Sequence, residues 1–164
     1  MTGTPLPPRM ITRQFLIYLA GPITGHSFEG ATSWYDEVDR AFPPYLVPVK
    51  PLRGKTWLHG MSAIESQYTN LHPLSTPDGI MTRDEYDVMR ADALLVNLLF
   101  APTTPSLGTI MEIAWGRAYH KPVIAVMTED NVHYKHPMIR KSCSMILPTL
   151  AEAIDVTRRL ISPV

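Results

Sequence analysis

Short apolar runs that end near glycine or proline alternate along the chain with segments of helical periodicity. The runs predict five strands, at residues 15–20, 45–49, 93–100, 122–127 and 142–147. The first and third runs are almost uninterrupted, which is typical of strands buried on both faces of a parallel sheet. The chain is therefore predicted to be built around a buried parallel sheet.

Apolar residues three and four positions apart predict helices between these strands. The helices cover residues 31–42, 82–91, a segment from Ser106 towards Pro122, and 149–161. Strands that alternate with helices predict a doubly wound sheet. We expect one α/β domain over residues 13–164, a three-layer sandwich with five parallel strands in flavodoxin-like (Rossmann-like) order. Residues 1–12 are predicted to be a flexible arm.

The segment 50–77 has no sustained period. We interpret it as a long loop with one short helix around residues 61–68, acting as a lid over a site or as an oligomer contact. Its polar and aromatic side chains are Trp57, His59, Gln67, Tyr68 and His72.

Composition narrows the class of protein. The 15 basic and 15 acidic residues give a formal net charge of zero, so bulk electrostatics favour neither nucleic acid nor an anionic membrane as a partner. One cysteine in 164 residues suits a reducing compartment, and no apolar segment reads as a signal peptide or a membrane span. We expect a cytoplasmic, globular protein.

One carboxylate, Glu112, lies within the apolar pattern of the helix that Ser106 is predicted to cap. Open α/β sheets bind ligands at this place, just past the carboxyl end of a strand. Acids near helix N-termini are also favoured by the helix dipole alone, so position leaves both interpretations open. Ser106 and the free amides of Leu107 and Gly108 form a candidate anion or hydroxyl site nearby, and Gly108 lets a ligand approach the backbone.

Two other segments are candidates for a site. Gly-Pro-Ile-Thr-Gly at residues 21–25 follows the first strand as a tight loop whose amides can face a ligand, although its spacing fits neither a dinucleotide fingerprint nor a Walker loop. Asp84 lies in the first turn of a helix on which Thr82 and Glu85 form a predicted capping box. Compensation of the helix dipole is the simplest interpretation of Asp84.

No metal ion or organic cofactor is predicted. His133 and His136 are three residues apart in a predicted loop without a suitably spaced carboxylate, so a surface location is favoured over a metal site. Cys143 has no histidine at a diagnostic spacing and is predicted to be a buried, small apolar residue. Ser106 is not in a nucleophile elbow, because residue 104 is threonine rather than glycine.

Three blocks of sequence together resemble the nucleoside 2-deoxyribosyltransferase superfamily, which includes N-glycosidases of nucleoside 5′-monophosphates. The blocks are Tyr-Leu-Ala-Gly-Pro-Ile-Thr-Gly at 18–25, Arg-Asp-Glu-Tyr-Asp-Val-Met-Arg-Ala-Asp-Ala-Leu-Leu-Val-Asn at 83–97 and Ser-Leu-Gly-Thr-Ile-Met-Glu-Ile-Ala-Trp at 106–115. The resemblance spans about residues 15–127 in the family's order, and the predicted sheet order is consistent with it.

The resemblance implies a catalytic role for three residues. Glu112 matches the nucleophile that attacks the anomeric carbon and forms a covalent glycosyl-enzyme. Asp84 matches the acid that helps the base to leave, and Tyr18 matches a strand-end tyrosine that orients the nucleophile.

Substrate contacts and self-association are also implied by the resemblance. Gly21 and Pro22 are expected near the sugar, and Gln67 is a candidate contact to the base. Family members are commonly homodimers or larger homo-oligomers in which a neighbouring subunit supplies an asparagine, whereas the corresponding stretch here offers Met138 and Ile139.

The residue type at position 106 distinguishes two activities among the proteins that this chain resembles. Nucleoside-specific transferases typically have an aspartate there, and the monophosphate glycosidases have serine, which does not repel a phosphate. The sequence thus predicts N-glycosidic cleavage of a nucleoside or nucleotide with transfer to another base. The alternatives are a 5′-monophosphate N-glycosidase, in which water is the acceptor, and a non-catalytic nucleotide-binding module.

Overall fold

The computed structural model describes residues 13–101 and 103–162, so the predicted arm at 1–12 lies outside the described residues. The five strands are β1 (Phe15–Ala20), β2 (Leu46–Val49), β3 (Ala93–Asn97), β4 (Val123–Val126) and β5 (Met145–Leu147). All neighbouring strands are parallel, in the order β2-β1-β3-β4-β5. The predicted flavodoxin-like sheet is confirmed.

Helices cover both faces of this sheet. They are α1 (Phe28–Thr32), α2 (Tyr35–Ala41), α3 (Pro77–Arg90), α4 (Leu107–Ala118), α5 (Val132–Lys135), α6 (Pro137–Ser142) and α7 (Leu150–Leu160). Within the described residues, none of them is long and apolar enough to cross a lipid bilayer.

Successive residues of β1 point to opposite helical layers. Ile17 and Leu19 join the core formed with α2 and α7, whereas Tyr18 and Ala20 join the core formed with α3 and α4. This alternation places the Tyr18 side chain in the same layer as the helix that carries Glu112.

Helix α3 begins at Pro77 rather than at the predicted Thr82. The Thr76 hydroxyl accepts a hydrogen bond from the Gly79 amide at 3.2 Å, and proline at the first helical position fits the start of a helix. Glu85 accepts a hydrogen bond of 2.6 Å from the Tyr119 hydroxyl instead of capping the helix. The predicted capping box is therefore wrong, and Asp84 lies in the interior of the helix.

Two other predicted helices differ in the structure. The one at 31–42 is divided into α1 and α2, and at the break the Ser33 hydroxyl donates to the Gly30 carbonyl oxygen. The one at 61–68 is absent from the described residues, and the segment has 3₁₀ turns at Thr56–Leu58 and Pro73–Ser75 instead. Ile64 forms backbone hydrogen bonds of 2.8 Å with Gly25 and His26, which hold it outside a helix.

Candidate active site

A cavity of about 720 Å³ lies at the carboxyl edge of the sheet. Its lining comes from the loops after β1, β2 and β3 and from α3 and α4. Seven of the eight predicted site residues line it: Gly21, Pro22, Gln67, Asp84, Ser106, Gly108 and Glu112. The eighth, Tyr18, reaches the cavity through a hydrogen bond to Glu112. The structure thus brings together residues that are far apart in the sequence.

Tyr18 and Glu112 form a buried hydrogen-bonded pair. The Tyr18 hydroxyl donates to Glu112 Oε1 at 2.6 Å, and the tyrosine is fully buried at the end of β1. Burial, followed by the negative charge of Asp84, raises the pKa of Glu112 to about 8, whereas the bond from Tyr18 lowers it. Burial also raises the pKa of Tyr18 well above its usual value, so the phenol remains protonated and acts as the donor.

Asp84 is the second carboxylate of the cavity. Its Oδ1 atom is buried and has no hydrogen-bond partner among the described residues. Burial raises the pKa of Asp84 to about 6, while the positive charge of Lys55 opposes the increase. Two buried carboxylates that repel each other favour a state in which they hold one proton between them, and the higher pKa of Glu112 places that proton on Glu112 at neutral pH.

The start of α4 and the residue just before it present two hydroxyls. Ser106 Oγ and Thr109 Oγ1 are 2.9 Å apart, and both residues line the cavity. Ser106 stands at the predicted N-cap position, but its side chain makes no capping hydrogen bond. A Cβ at Gly108 would meet no atom within 4 Å, so neither packing nor a positive φ requires glycine there.

Gly21 is glycine for a packing reason. A Cβ at this position would lie 3.0 Å from the Asn97 carbonyl oxygen, since β1 and β3 come close together as they leave the sheet. Pro22, the next residue, is buried, whereas Gln67, from the segment after β2, is exposed. The residues that line the cavity therefore differ in how tightly they are packed.

His133 is buried behind Ser106, and the predicted surface location is wrong. The Ser106 amide donates to His133 Nε2 at 2.9 Å, and His133 Nδ1 lies 2.7 Å from Asn131 Oδ1. Asn131 in turn donates to the Leu98 carbonyl oxygen at 2.9 Å. Because an amide can only donate, Nε2 accepts and the hydrogen of the ring is on Nδ1. This chain of bonds anchors the loop that precedes α4.

Burial lowers the pKa of His133, which agrees with a neutral ring. Within residues 13–101 and 103–162, no group of three or more His, Cys, Asp or Glu side chains is arranged to hold a metal ion. Burial raises the pKa of the Cys143 thiol to about 11, so its thiolate is scarce at neutral pH.

Lys55 is a cavity residue that sequence reasoning missed. It comes from the aperiodic segment after β2, and only 7 % of it is exposed. Burial lowers the pKa of Lys55, and the negative charge of Asp84 opposes this effect. No local pattern marks it, because its relation to Asp84 arises only when the segment packs against α3.

Ionic contacts attach this segment to α3. The Asp87 carboxylate is fully buried and pairs with Arg53 at 2.6 Å and with Arg90 at 3.1 Å. Arg83 donates to the Arg53 carbonyl oxygen at 2.7 Å. The segment is therefore a fixed wall of the cavity in this structure.

Comparisons with known proteins agree with this architecture. The solved structure of a conserved protein from Enterococcus faecalis superposes with a TM-score of 0.62 at 15% identity, over 90% of this chain and 99% of that chain. At this identity the likeness supports the fold alone. No curated protein sequence matches the chain.

The family model described as nucleoside 2-deoxyribosyltransferase matches residues 17–151, a range that includes Tyr18, Asp84 and Glu112. The chain belongs to the nucleoside 2-deoxyribosyltransferase family.

Proposed function

We propose that the protein cleaves the N-glycosidic bond of a (deoxy)nucleoside or its 5′-monophosphate through a covalent glycosyl-Glu112 intermediate and transfers the sugar to another base. The observation that carries the proposal is the 2.6 Å hydrogen bond from Tyr18 to Glu112 inside the cavity that Asp84 also lines. Family membership supports chemistry at an N-glycosidic bond.

In the first step, a Glu112 oxygen attacks the anomeric carbon while the carbon–nitrogen bond breaks. The bonding electrons leave with the base, and the proton that the two carboxylates share passes through Asp84 to a nitrogen or oxygen atom of that base, which leaves Glu112 ionised for the attack. A carboxylate suits an oxocarbenium-like transition state, because it forms an ester that remains a good leaving group. Tyr18 holds one Glu112 oxygen and leaves the other free for attack.

In the second step, a ring nitrogen of another base attacks the same carbon from the face that the first base left. Glu112 departs as a carboxylate, and Asp84 takes up the proton of the incoming base. Two displacements with inversion retain the configuration at the anomeric carbon. Water at the position of the incoming base would give hydrolysis with the same residues.

The second candidate function is a 5′-monophosphate N-glycosidase, and the environment of Ser106 favours it. The hydroxyls of Ser106 and Thr109 and the first amides of α4 form a set of donors at the positive end of a helix, which suits a phosphate. The same hydroxyls would also bind a neutral 5′-hydroxyl group. The choice of donor therefore decides between the two candidates.

Self-association is part of the proposal. Large apolar side chains are exposed on α3, α4 and α6, and one of them, Leu107, lines the cavity: Tyr86, Met89, Leu107, Met111 and Met138. We propose that a second copy covers this face as a homodimer or larger homo-oligomer. Light scattering of the wild-type protein and of a double variant, Leu107→Glu with Met138→Glu, tests it. A wild-type monomer at micromolar concentration would contradict it.

The first experiment is to incubate the protein with deoxycytidine or deoxycytidine 5′-monophosphate, each with and without free adenine. New deoxyadenosine from the nucleoside supports the transferase. Free cytosine from the monophosphate alone, unaffected by adenine, supports the glycosidase. Rapid acid quenching and peptide mass spectrometry should locate a sugar adduct on Glu112 in either case, and an adduct elsewhere would contradict the mechanism. If no nucleoside or nucleotide of any base reacts, the binding-module alternative replaces both.

A further inference from the structure

Helix α4 starts differently from the other helices that follow a serine or threonine. At α1, α3 and α7 the hydroxyl of Ser27, Thr76 or Thr149 accepts a hydrogen bond from a backbone amide of the helix, and ψ of that residue lies between 151° and 161°. Ser106 has a ψ of 97° and makes no such bond. Its hydroxyl lies against the hydroxyl of Thr109 in the lining of the cavity. The conformation of Ser106 therefore has a cause other than capping.

A buried histidine supplies that cause. The Ser106 amide donates to His133 Nε2 at 2.9 Å. On the other side of the ring, Nδ1 donates to Asn131 Oδ1 at 2.7 Å, and the His133 amide donates to the same oxygen at 3.0 Å. Asn131 Nδ2 then donates to the Leu98 carbonyl oxygen just after β3. An unbroken chain of hydrogen bonds thus joins Ser106 to the end of the sheet.

The residue type at position 133 fits this task. A neutral imidazole offers an acceptor on one nitrogen and a donor on the other, and both are used here. His133 and Asn131 are each only 1% exposed, so a lost partner would leave a buried polar group unsatisfied. An apolar side chain would fill the same space without an acceptor for the Ser106 amide. Hydrogen bonding, rather than volume alone, therefore accounts for a histidine in this place.

His133 can influence a ligand only through another residue. The described lining of the cavity includes Ser106 and Thr109 but not His133. The Ser106 hydroxyl shares one hydrogen bond with Thr109 and keeps its remaining bonding capacity for a ligand, since a hydroxyl has one hydrogen and two lone pairs. The effect of His133 on a ligand therefore passes through the conformation of Ser106.

We propose that His133 is a positioning residue for the 5′ end of the substrate. It holds Ser106 in the conformation in which the hydroxyl binds an oxygen of the 5′-phosphate or 5′-hydroxyl group instead of capping α4. The identity of this ligand group rests on the proposed function. His133 contributes no atom to the reaction at the anomeric carbon. Loss of its acceptor should therefore weaken binding of the 5′ group and leave the rest of the site unchanged.

The test uses two amide side chains that differ in reach. In His133→Gln, the side-chain oxygen reaches about as far as Nε2 and can accept the Ser106 amide. In His133→Asn, the shorter side chain reaches only the position of Nδ1, so it can keep a bond to Asn131 but not one to Ser106. His120→Asn is the control, because His120 is exposed and its φ of 56° suits asparagine.

Calorimetry measures ligand binding in a Glu112→Gln background, which lacks the proposed nucleophile. The ligands are a deoxynucleoside, its 5′-monophosphate and its 2′,5′-dideoxy analogue, which has no 5′-oxygen, with cytosine as the first base and the other bases in turn. We expect His133→Asn to raise Kd of the monophosphate about tenfold or more, a usual loss for one hydrogen bond to a charged group. Kd of the dideoxy analogue should not change. His133→Gln and His120→Asn should leave all values close to those of the parent.

Two further variants separate positioning from a loss of structure. Ser106→Ala should give the same pattern as His133→Asn, and the two changes combined should give no further loss, because both act through one hydroxyl. If His133→Asn does not fold, His133→Phe takes its place with the same expectation, since its ring fills the volume without an acceptor. The deoxynucleoside shows whether a neutral 5′-hydroxyl group depends on His133, and a selective loss for either 5′ group supports the proposal.

An equal loss of affinity for all three ligands would reduce His133 to a structural residue and overturn the proposal, and so would unchanged affinity for all three. A wild type that binds nucleotides but cleaves none contradicts the proposed function alone, because binding decides the role of His133. If no nucleoside or monophosphate of any base binds the parent, both fail.

Discussion

The floor and the wall of the cavity are built by different means. The floor consists of Tyr18, Asp84 and Glu112, which lie on β1, α3 and α4. The wall is the segment of residues 50–76, whose described structure contains two short 3₁₀ turns and is attached to α3 by Arg53 and Asp87. The comparison indicates that regular elements position the two cavity carboxylates, whereas an irregular segment brings charged side chains close to them.

Glu112→Gln removes the proposed nucleophile from the floor and should have the largest effect. We expect turnover to fall by about 10⁴-fold or more, because loss of a covalent nucleophile removes a pathway rather than one contact. The fold should be kept, since glutamine can still accept the Tyr18 hydrogen bond. Steady-state kinetics and thermal unfolding measure both. The matched change at an exposed acid, Glu129→Gln, should alter neither, and a Glu112→Gln enzyme with wild-type turnover would remove Glu112 from the mechanism.

Asp87→Ala breaks the attachment of the wall. Two arginines then lose the buried carboxylate that they share, and we expect the free energy of unfolding to fall by about 3 kcal/mol. Urea unfolding followed by circular dichroism measures the change. Asp155→Ala, which removes an exposed ion pair with Arg159, should cost less than about 1 kcal/mol and serves as the control. Equal effects of the two changes would show that the wall does not depend on Asp87.

Tyr18→Phe tests whether Tyr18 sets the pKa of Glu112, the proposed nucleophile. The Tyr18 hydroxyl lowers the pKa of Glu112, so its removal should raise that pKa above about 8. Activity that requires ionised Glu112 rises with pH, and the acid limb of the pH profile should therefore move to higher pH. At pH 7 we expect a loss of about 10- to 100-fold. An unshifted acid limb with reduced activity at every pH would restrict Tyr18 to orientation alone.

Gly108→Ala should have the smallest effect on the fold. It tests whether the substrate's phosphate or 5′-hydroxyl group binds near the start of α4. The added methyl group meets no protein atom, and alanine favours a helix, so stability should rise by up to about 1 kcal/mol. If a ligand approaches the backbone there, KM should rise while kcat changes less. Gly116→Ala is the contrasting variant, because its Cβ would lie 2.9 Å from Leu94 and Val123 and should destabilise the core. Unchanged KM in Gly108→Ala would place the ligand elsewhere.

The sheet and most of the floor of the cavity could be predicted from the sequence. Near-continuous apolar runs predicted the strands, the 3.6-residue period predicted the helices, and parallel topology brought the carboxyl ends of the strands together. Tyr18 and Glu112 are 94 residues apart, and only the family resemblance connected them before the structure did. Thr76 and Pro77 carry the sequence signal for the start of α3, and the pattern at Thr82 and Glu85 resembles a second helix start.

The wall and the support behind Ser106 could not be predicted from the sequence. Arg53 and Asp87 are 34 residues apart and belong to no periodic pattern, so the position of Lys55 depends on a tertiary contact. Ser106 and His133 are 27 residues apart, and a histidine in a short helix carries no local signal of burial. Side-chain bonds across such separations depend on the folded backbone rather than on local preference.

The parallel sheet also separates the cavity from the loops that enter the strands. Pro44 is exposed in the loop before β2, at the amino edge of the sheet, whereas the cavity opens at the carboxyl edge. Cys143 is the one cysteine of the sequence, and its thiol is poorly ionised at neutral pH. A cysteine introduced as Pro44→Cys would therefore be the group that reacts with a maleimide-coated support. The immobilised molecules would share one orientation, with their cavities facing the solution.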